Sequence, residues 1–160
     1  MNARGIVLIA AVVGVIAAIV SLDAFETEED RVRKSLYRMA GSFNDEKSGS
    51  VAKGFGESVR IGRISVDRES IRGFLAREFL NYTITGQPYP YQVEILSESF
   101  EVELEGEERA KVTFTYRFSR RTDEGEKELS PHTVQVELEK VEGEWLVIST
   151  TAERESLPMW

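Results

Sequence analysis

Few residues in this chain could do chemistry. His132 is the single histidine. It shares alternation parity with Val134, Val136 and Leu138, which places it on the inner face of a sheet near a strand end. There an imidazole titrating near neutrality could act as a general base. The plainer reading, which we prefer, is a strand-end histidine beside Pro131, half exposed and making one hydrogen bond. Tyr116 sits among Val112, Phe114 and Phe118. Its phenol could donate to a bound carbonyl, although such a tyrosine is more often core with its hydroxyl at the rim. The strand acids lie on the polar parity or in turns, which counts against enolising chemistry. Arg117, Arg120 and Arg121 form the one basic cluster. They could hold a carboxylate or an anionic head group, but cross-strand pairing with Glu101, Glu103, Glu137 or Glu139 is the simpler expectation. A lone histidine without cysteine makes no zinc site, so no metal and no cofactor are expected.

Composition narrows the classes further. The 160 residues fit one domain plus an appendage. The net charge is -8, with the charges interspersed, which argues against a nucleic-acid partner. Cysteine is absent, and with it structural disulfides, a thiol nucleophile, a cysteine-ligated metal and a lipid-modified cysteine anchor.

The elements that must position these side chains are alternating strands from Tyr91 to Ala152. Tyr91, Val93 and Ile95 share one parity; Phe100, Val102 and Leu104 share the other. That switch predicts a β-bulge near Ile95 to Ser97 that bends the strand. Ala110, Val112, Phe114, Tyr116 and Phe118 form a clean second strand, followed by a polar loop from Thr122 to Lys127. His132 to Leu138 form a third strand. Glu142-Gly143 suits a two-residue hairpin turn, setting Leu138 opposite Val147, Val136 opposite Ser149 and Lys140 opposite Trp145. A ligand held inside would touch Phe114, Tyr116, Phe118, His132, Val134 and Trp145. Leu146 and Ile148 then emerge on the other face, covered either by a second copy of the chain or by their strand neighbours.

Upstream, Gly5 to Leu22 is uncharged, and eleven of its eighteen residues are Ile, Val or Leu. As a helix it would span about 27 Å, close to the ~30 Å hydrocarbon core. We read it as an uncleaved transmembrane anchor rather than a signal peptide, because its apolar run is long and its cleavage match is poor. Arg4 precedes the run, so the short tail 1–4 is expected in the cytoplasm and the domain outside the cytoplasmic membrane. Thr27 with Glu28, Glu29 and Asp30 reads as a helix start. Val32, Leu36, Met39 and Phe43 then draw one apolar stripe. A turn-rich break, Asn44 to Ser50, precedes a short helix around Val51 to Phe55 and a kinked edge strand from Val59 to Val66. Asp67 caps a further helix presenting Ile71, Phe74, Leu75 and Phe79 on one face. Residues 153–160 read as a tail.

The order of elements, the helix start Asp67-Arg68-Glu69-Ser70-Ile71-Arg72-Gly73-Phe74-Leu75 and the closing strand Gly143-Glu144-Trp145-Leu146-Val147-Ile148 resemble the nuclear transport factor 2-like superfamily. Its members include the SnoaL-like and ketosteroid-isomerase-like proteins. The resemblance spans Thr27 to Ala152. It implies an α+β domain, residues 23–152: two or three helices on a strongly curved, mainly antiparallel sheet shaped as a cone, often dimeric through its outer face. Enzymes of the superfamily place an Asp or His base and a Tyr or acid donor inside the cone. No motif here assigns those roles to particular residues. The expected function is therefore a membrane-anchored, extracytoplasmic, non-catalytic domain that binds a protein partner or a small apolar ligand. The alternative is a small cofactor-free isomerase or dehydratase working in the cone.

Overall fold

Capping decides where the first helix starts. The computed structural model describes residues 26–122, 124–129 and 131–152, and the chain divides between Arg31 and Val32. Within the first unit, the Thr27 hydroxyl accepts from the Asp30 N–H at 3.1 Å, while the Thr27 N–H and hydroxyl donate to the Asp30 carboxylate. This reciprocal cap satisfies two otherwise orphaned groups. Helix α1 (Glu28–Asn44) follows. From Val32 onward its buried stripe is Val32 and Leu36, with Met39 packed on the same core.

Helix α2 (Ser48–Lys53) begins before the position expected from Val51, and it buries Val51 and Ala52. At Gly54 a Cβ would fall 2.3 Å from the Met39 side chain, so a larger residue there would have to displace Met39. The segment expected to be one kinked edge strand is a hairpin of β1 (Phe55–Ile61) and β2 (Ile64–Asp67). Gly62, at φ 60°, makes its turn. The kink expected there is that turn, since Ile61 pairs with Ile64.

Helix α3 (Arg68–Ile84) is capped by Asp67, whose carboxylate accepts from the Ser70 N–H at 2.8 Å and from the Ser70 hydroxyl at 2.7 Å. Of the apolar face expected for it, Phe79 is buried and Ile71 packs on the core, but Phe74 is 54% exposed. The inward face centres on residues 71, 75, 78 and 82, which leaves Phe74 turned aside.

The long bent strand consists of β3 (Tyr91–Ile95), a 3-10 turn (Ser97–Ser99) and β4 (Glu101–Glu105). A helical turn, rather than a bulge, absorbs the change of parity. Both halves pair with β5 (Arg109–Thr122), β3 along its second half and β4 along its first. The loop expected at Thr122 to Lys127 contains a short strand, β6 (Gly125–Glu128), folded back on β5. Strands β7 (His132–Val141) and β8 (Glu144–Ala152) complete the sheet, whose order is β2-β1-β8-β7-β5-β3. All pairs are antiparallel except β1 with β8. The sheet is thus mixed, and it curves around α1. Its core joins Val32 and Leu36 to Val112, Phe114, Val136, Leu138, Trp145 and Val147.

Leu138 opposes Val147 and Lys140 opposes Trp145, as the hairpin turn requires. Val136, however, opposes Thr150 rather than Ser149, because Ile148 is an extra residue bulged out of β8. Among the described residues no helix is long and apolar enough to cross a membrane. The expected anchor at 5–22 and the tails 1–4 and 153–160 lie outside the described residues.

Candidate functional site

Strand parity and one bulge build a cavity of about 300 Å³ between α1 and the concave face of the sheet. Helix α1 contributes Leu36, Met39, Ala40 and Phe43. Strand β5 contributes Phe114, Tyr116 and Phe118, the even positions that alternation turns inward, and Val93, Val134 and Val136 close the sides. The Ile148 bulge flips the remainder of β8, so that Thr150 faces the cavity. Ser149 turns to the outer face instead, where Arg60 donates to its hydroxyl at 3.3 Å. The lining therefore offers two side-chain hydroxyls, on Tyr116 and Thr150, and no acid, base or cation. Burial pushes the Tyr116 phenol up from its ordinary value, which keeps it a neutral donor.

An aromatic group stands beside this cavity. Phe43 meets Phe79, Tyr89 and Phe118 with ring centroids 5.7 to 6.0 Å apart, and Phe79 meets Tyr89 at 4.9 Å. The Tyr89 phenol is pushed up to about 12, first by burial and then by the nearby Glu78. Nothing in the sequence marked Tyr89 as a packing residue, because it stands between two prolines, Pro88 and Pro90, outside any apolar alternation.

Of the inner-face candidates, Phe114, Tyr116, Phe118 and Val134 line the cavity, whereas His132 and Trp145 do not. His132 is half buried and pairs across the strands with Tyr116. The two rings are 5.6 Å apart, and among the described residues the buried His132 Nδ1 has no hydrogen-bond partner. Trp145 is packed in the core, where the Ser35 hydroxyl donates to its carbonyl at 2.7 Å. Leu146 and Ile148 are half buried. Leu146 adjoins Arg38 and Lys53 in a cleft, and the Ile148 side chain lies over Gly56.

Of the arginine cluster, Arg117 pairs across strands, but with partners other than those expected. Arg117 lies 2.6 Å from Glu128 and 3.4 Å from Glu94. The Glu128 contact is an ion pair rather than a well-directed hydrogen bond, since among the described residues Arg117 Nε has no hydrogen-bond acceptor. Arg120 stacks over Tyr91 at 5.8 Å. Glu137 and Glu139 pair instead with Arg60 and Arg109. Among the described residues no three His, Asp or Glu side chains are grouped to hold a metal.

This arrangement of helices and bent sheet recurs in solved structures. A nuclear transport factor 2-like protein with a cystatin-like fold from Novosphingobium aromaticivorans matches with a TM-score of 0.62 at 11% identity, over 86% of this chain and 86% of its own. A Mycobacterium tuberculosis protein of unknown function matches with 0.64 at 17% identity, over 82% of this chain and 74% of its own. The fold is nuclear transport factor 2-like and cystatin-like. A further protein of similar structure, from Catenulispora acidiphila, was solved in complex with S-DNPA; it matches with 0.59 at 18% identity, over 77% of this chain and 90% of its own. At such identities the likeness carries the fold alone. No family model matches the sequence, and no curated protein matches it.

Proposed function

We propose that this nuclear transport factor 2-like domain is a non-catalytic binding module. It takes a small, uncharged, apolar ligand into its cone and is tethered outside the cytoplasmic membrane by residues 5–22. One observation carries the ligand reading: a cavity of about 300 Å³ whose lining supplies two hydroxyls and no ionisable acid or base. A charged ligand would lose its hydration there without a counter-charge, at a cost of several kcal/mol. An apolar ligand gains about 25 cal/mol for each Å² it buries, and Tyr116 can donate to one acceptor on it. The Catenulispora acidiphila protein of similar structure was solved in complex with S-DNPA, which supports a ligand-binding reading here.

The enzymatic reading, an isomerase or dehydratase, draws on the unpartnered His132 Nδ1 beside Tyr116. A general base must reach the reacting atom, and His132 is not part of the lining.

Titrating the full-length protein with 1-naphthol and with 1-naphthoate, which have the same rings and differ in charge, tests the proposal. Naphthol should bind about tenfold or more tightly than naphthoate, and Val134→Phe, which projects a ring into the cavity, should weaken naphthol by a similar factor. His132→Ala should leave naphthol binding unchanged. Equal affinity for the two probes, or indifference to Val134→Phe, overturns the reading.

A further inference from the structure

Strand β3 ends the sheet, and the hydrogen bonds show which of its groups face outward. Arg121 N–H donates to the Pro90 carbonyl at 2.7 Å and Leu96 N–H to the Thr115 carbonyl at 2.9 Å. The even-numbered residues of this stretch therefore face β5, and Tyr91, Val93 and Ile95 turn their peptide groups to the open side. At Val93 both groups are taken by one side chain: the Asn44 amide donates to its carbonyl and accepts from its N–H, each at 2.8 Å. That is the pair of bonds a residue of a neighbouring strand would make. Among the described residues no hydrogen bond reaches the outward groups of Tyr91 and Ile95. These are four residues apart, or about 13 Å along a strand.

A groove of about 660 Å³ runs along the same edge. Its α1 wall includes Gly41, where an added Cβ would meet nothing within 4 Å. Its other wall carries three carboxylates, Glu94, Glu126 and Glu128, against the single guanidinium of Arg117. Two negative charges are in excess.

We propose that this edge binds an extended peptide bearing lysine or arginine, which adds to β3 as a further strand and exchanges places with the Asn44 amide at Val93. Backbone pairing supplies the register, and the carboxylates select the basic side chains. A polyamine fits the charge but has no acceptor for the Tyr91 and Ile95 N–H groups. A second copy of this chain fits the backbone, but would bring the same excess of carboxylates against this one. The proposal is independent of the cone ligand, since the groove and the cavity share Ala40, Val93 and Ile95 but not their polar groups.

The test uses the full-length protein and two end-blocked, fluorescein-labelled decapeptides, one alternating lysine and valine, the other glutamate and valine. Anisotropy should detect only the lysine peptide, and hydrogen exchange should show new protection at Tyr91 and Ile95. Asn44→Ala removes the competitor and should tighten binding about fivefold or more, since its two hydrogen bonds to Val93 no longer compete. The double variant Glu94→Gln, Glu126→Gln should weaken it about tenfold at low salt. If Asn44 only shields the edge from aggregation, neither the parent nor Asn44→Ala binds the lysine peptide. That outcome overturns the proposal. So do equal binding of the two peptides, protection elsewhere in the chain, or affinities that neither variant changes.

Discussion

Ser99 shows how much one hydroxyl can hold. At the break between β3 and β4, its Oγ accepts from the Thr115 N–H at 2.8 Å and its O–H donates to the Leu96 carbonyl at 2.6 Å. It thereby pairs backbone groups that the 3-10 turn removes from the ladder. Ser99→Ala strands the part-buried Thr115 N–H and should cost about 1–3 kcal/mol, read as a lower urea midpoint; an unchanged midpoint would show that the hydroxyl is dispensable. Nothing in the sequence marked Ser99, because a serine in a polar stretch looks the same whether or not a distant strand presents it an N–H. Phe114, Tyr116, Phe118 and Val134, by contrast, were legible from alternation alone. His132 shares their parity and still lies outside the lining, since Tyr116, directly across the strand pair, stands beside its ring.

At the scale of elements, local chemistry was legible wherever partners are close in sequence. The Asp67 cap is such a case: Ser70, by its hydroxyl first and its N–H second, holds the Asp67 carboxyl below its ordinary value. The folded state therefore binds that proton less readily than the unfolded chain. The stability contributed is fully present above about pH 4 and is lost as pH falls through the folded value. Asp67→Asn should keep the cap but flatten this acid limb of the melting temperature, whereas Asp67→Ala should lower the melting temperature at neutral pH as well. A parent-like acid limb in Asp67→Asn would exclude this carboxylate as its source. The bends were only half legible. The sequence marked a parity switch near Ile95 and a kink between Val59 and Val66, but such a mark looks alike whether a bulge, a 3-10 turn or a hairpin causes it. The Ile148 bulge left no mark, since Leu146 to Thr150 alternate acceptably in either register.

For the whole molecule, the tether and orientation proposed above rest on the apolar run 5–22 and the charges around it. An alkaline phosphatase fused after Trp160 should be active in a bacterial host, because the enzyme matures only outside the cytoplasm, where its disulfides form. An inactive but intact fusion would reverse the assigned orientation.

From its own residues the chain determined the long strands, the capped helices and most of the side chains that share a face, because those properties depend on neighbours a few positions away. It also determined the apolar run that could moor it, and the absence of cysteine chemistry. Only the tertiary structure decided that the cone is hollow. Phe114 and Phe118 line it without filling it, Phe79 joins a ring cluster at its side, and Phe74 turns to solvent. Whether rings plug a cavity depends on the curvature of the sheet and the depth at which α1 crosses it, and both are set by contacts between residues far apart in the chain. The dressed edge of β3 has the same origin: Asn44 and Val93, 49 positions apart, meet only when the domain closes.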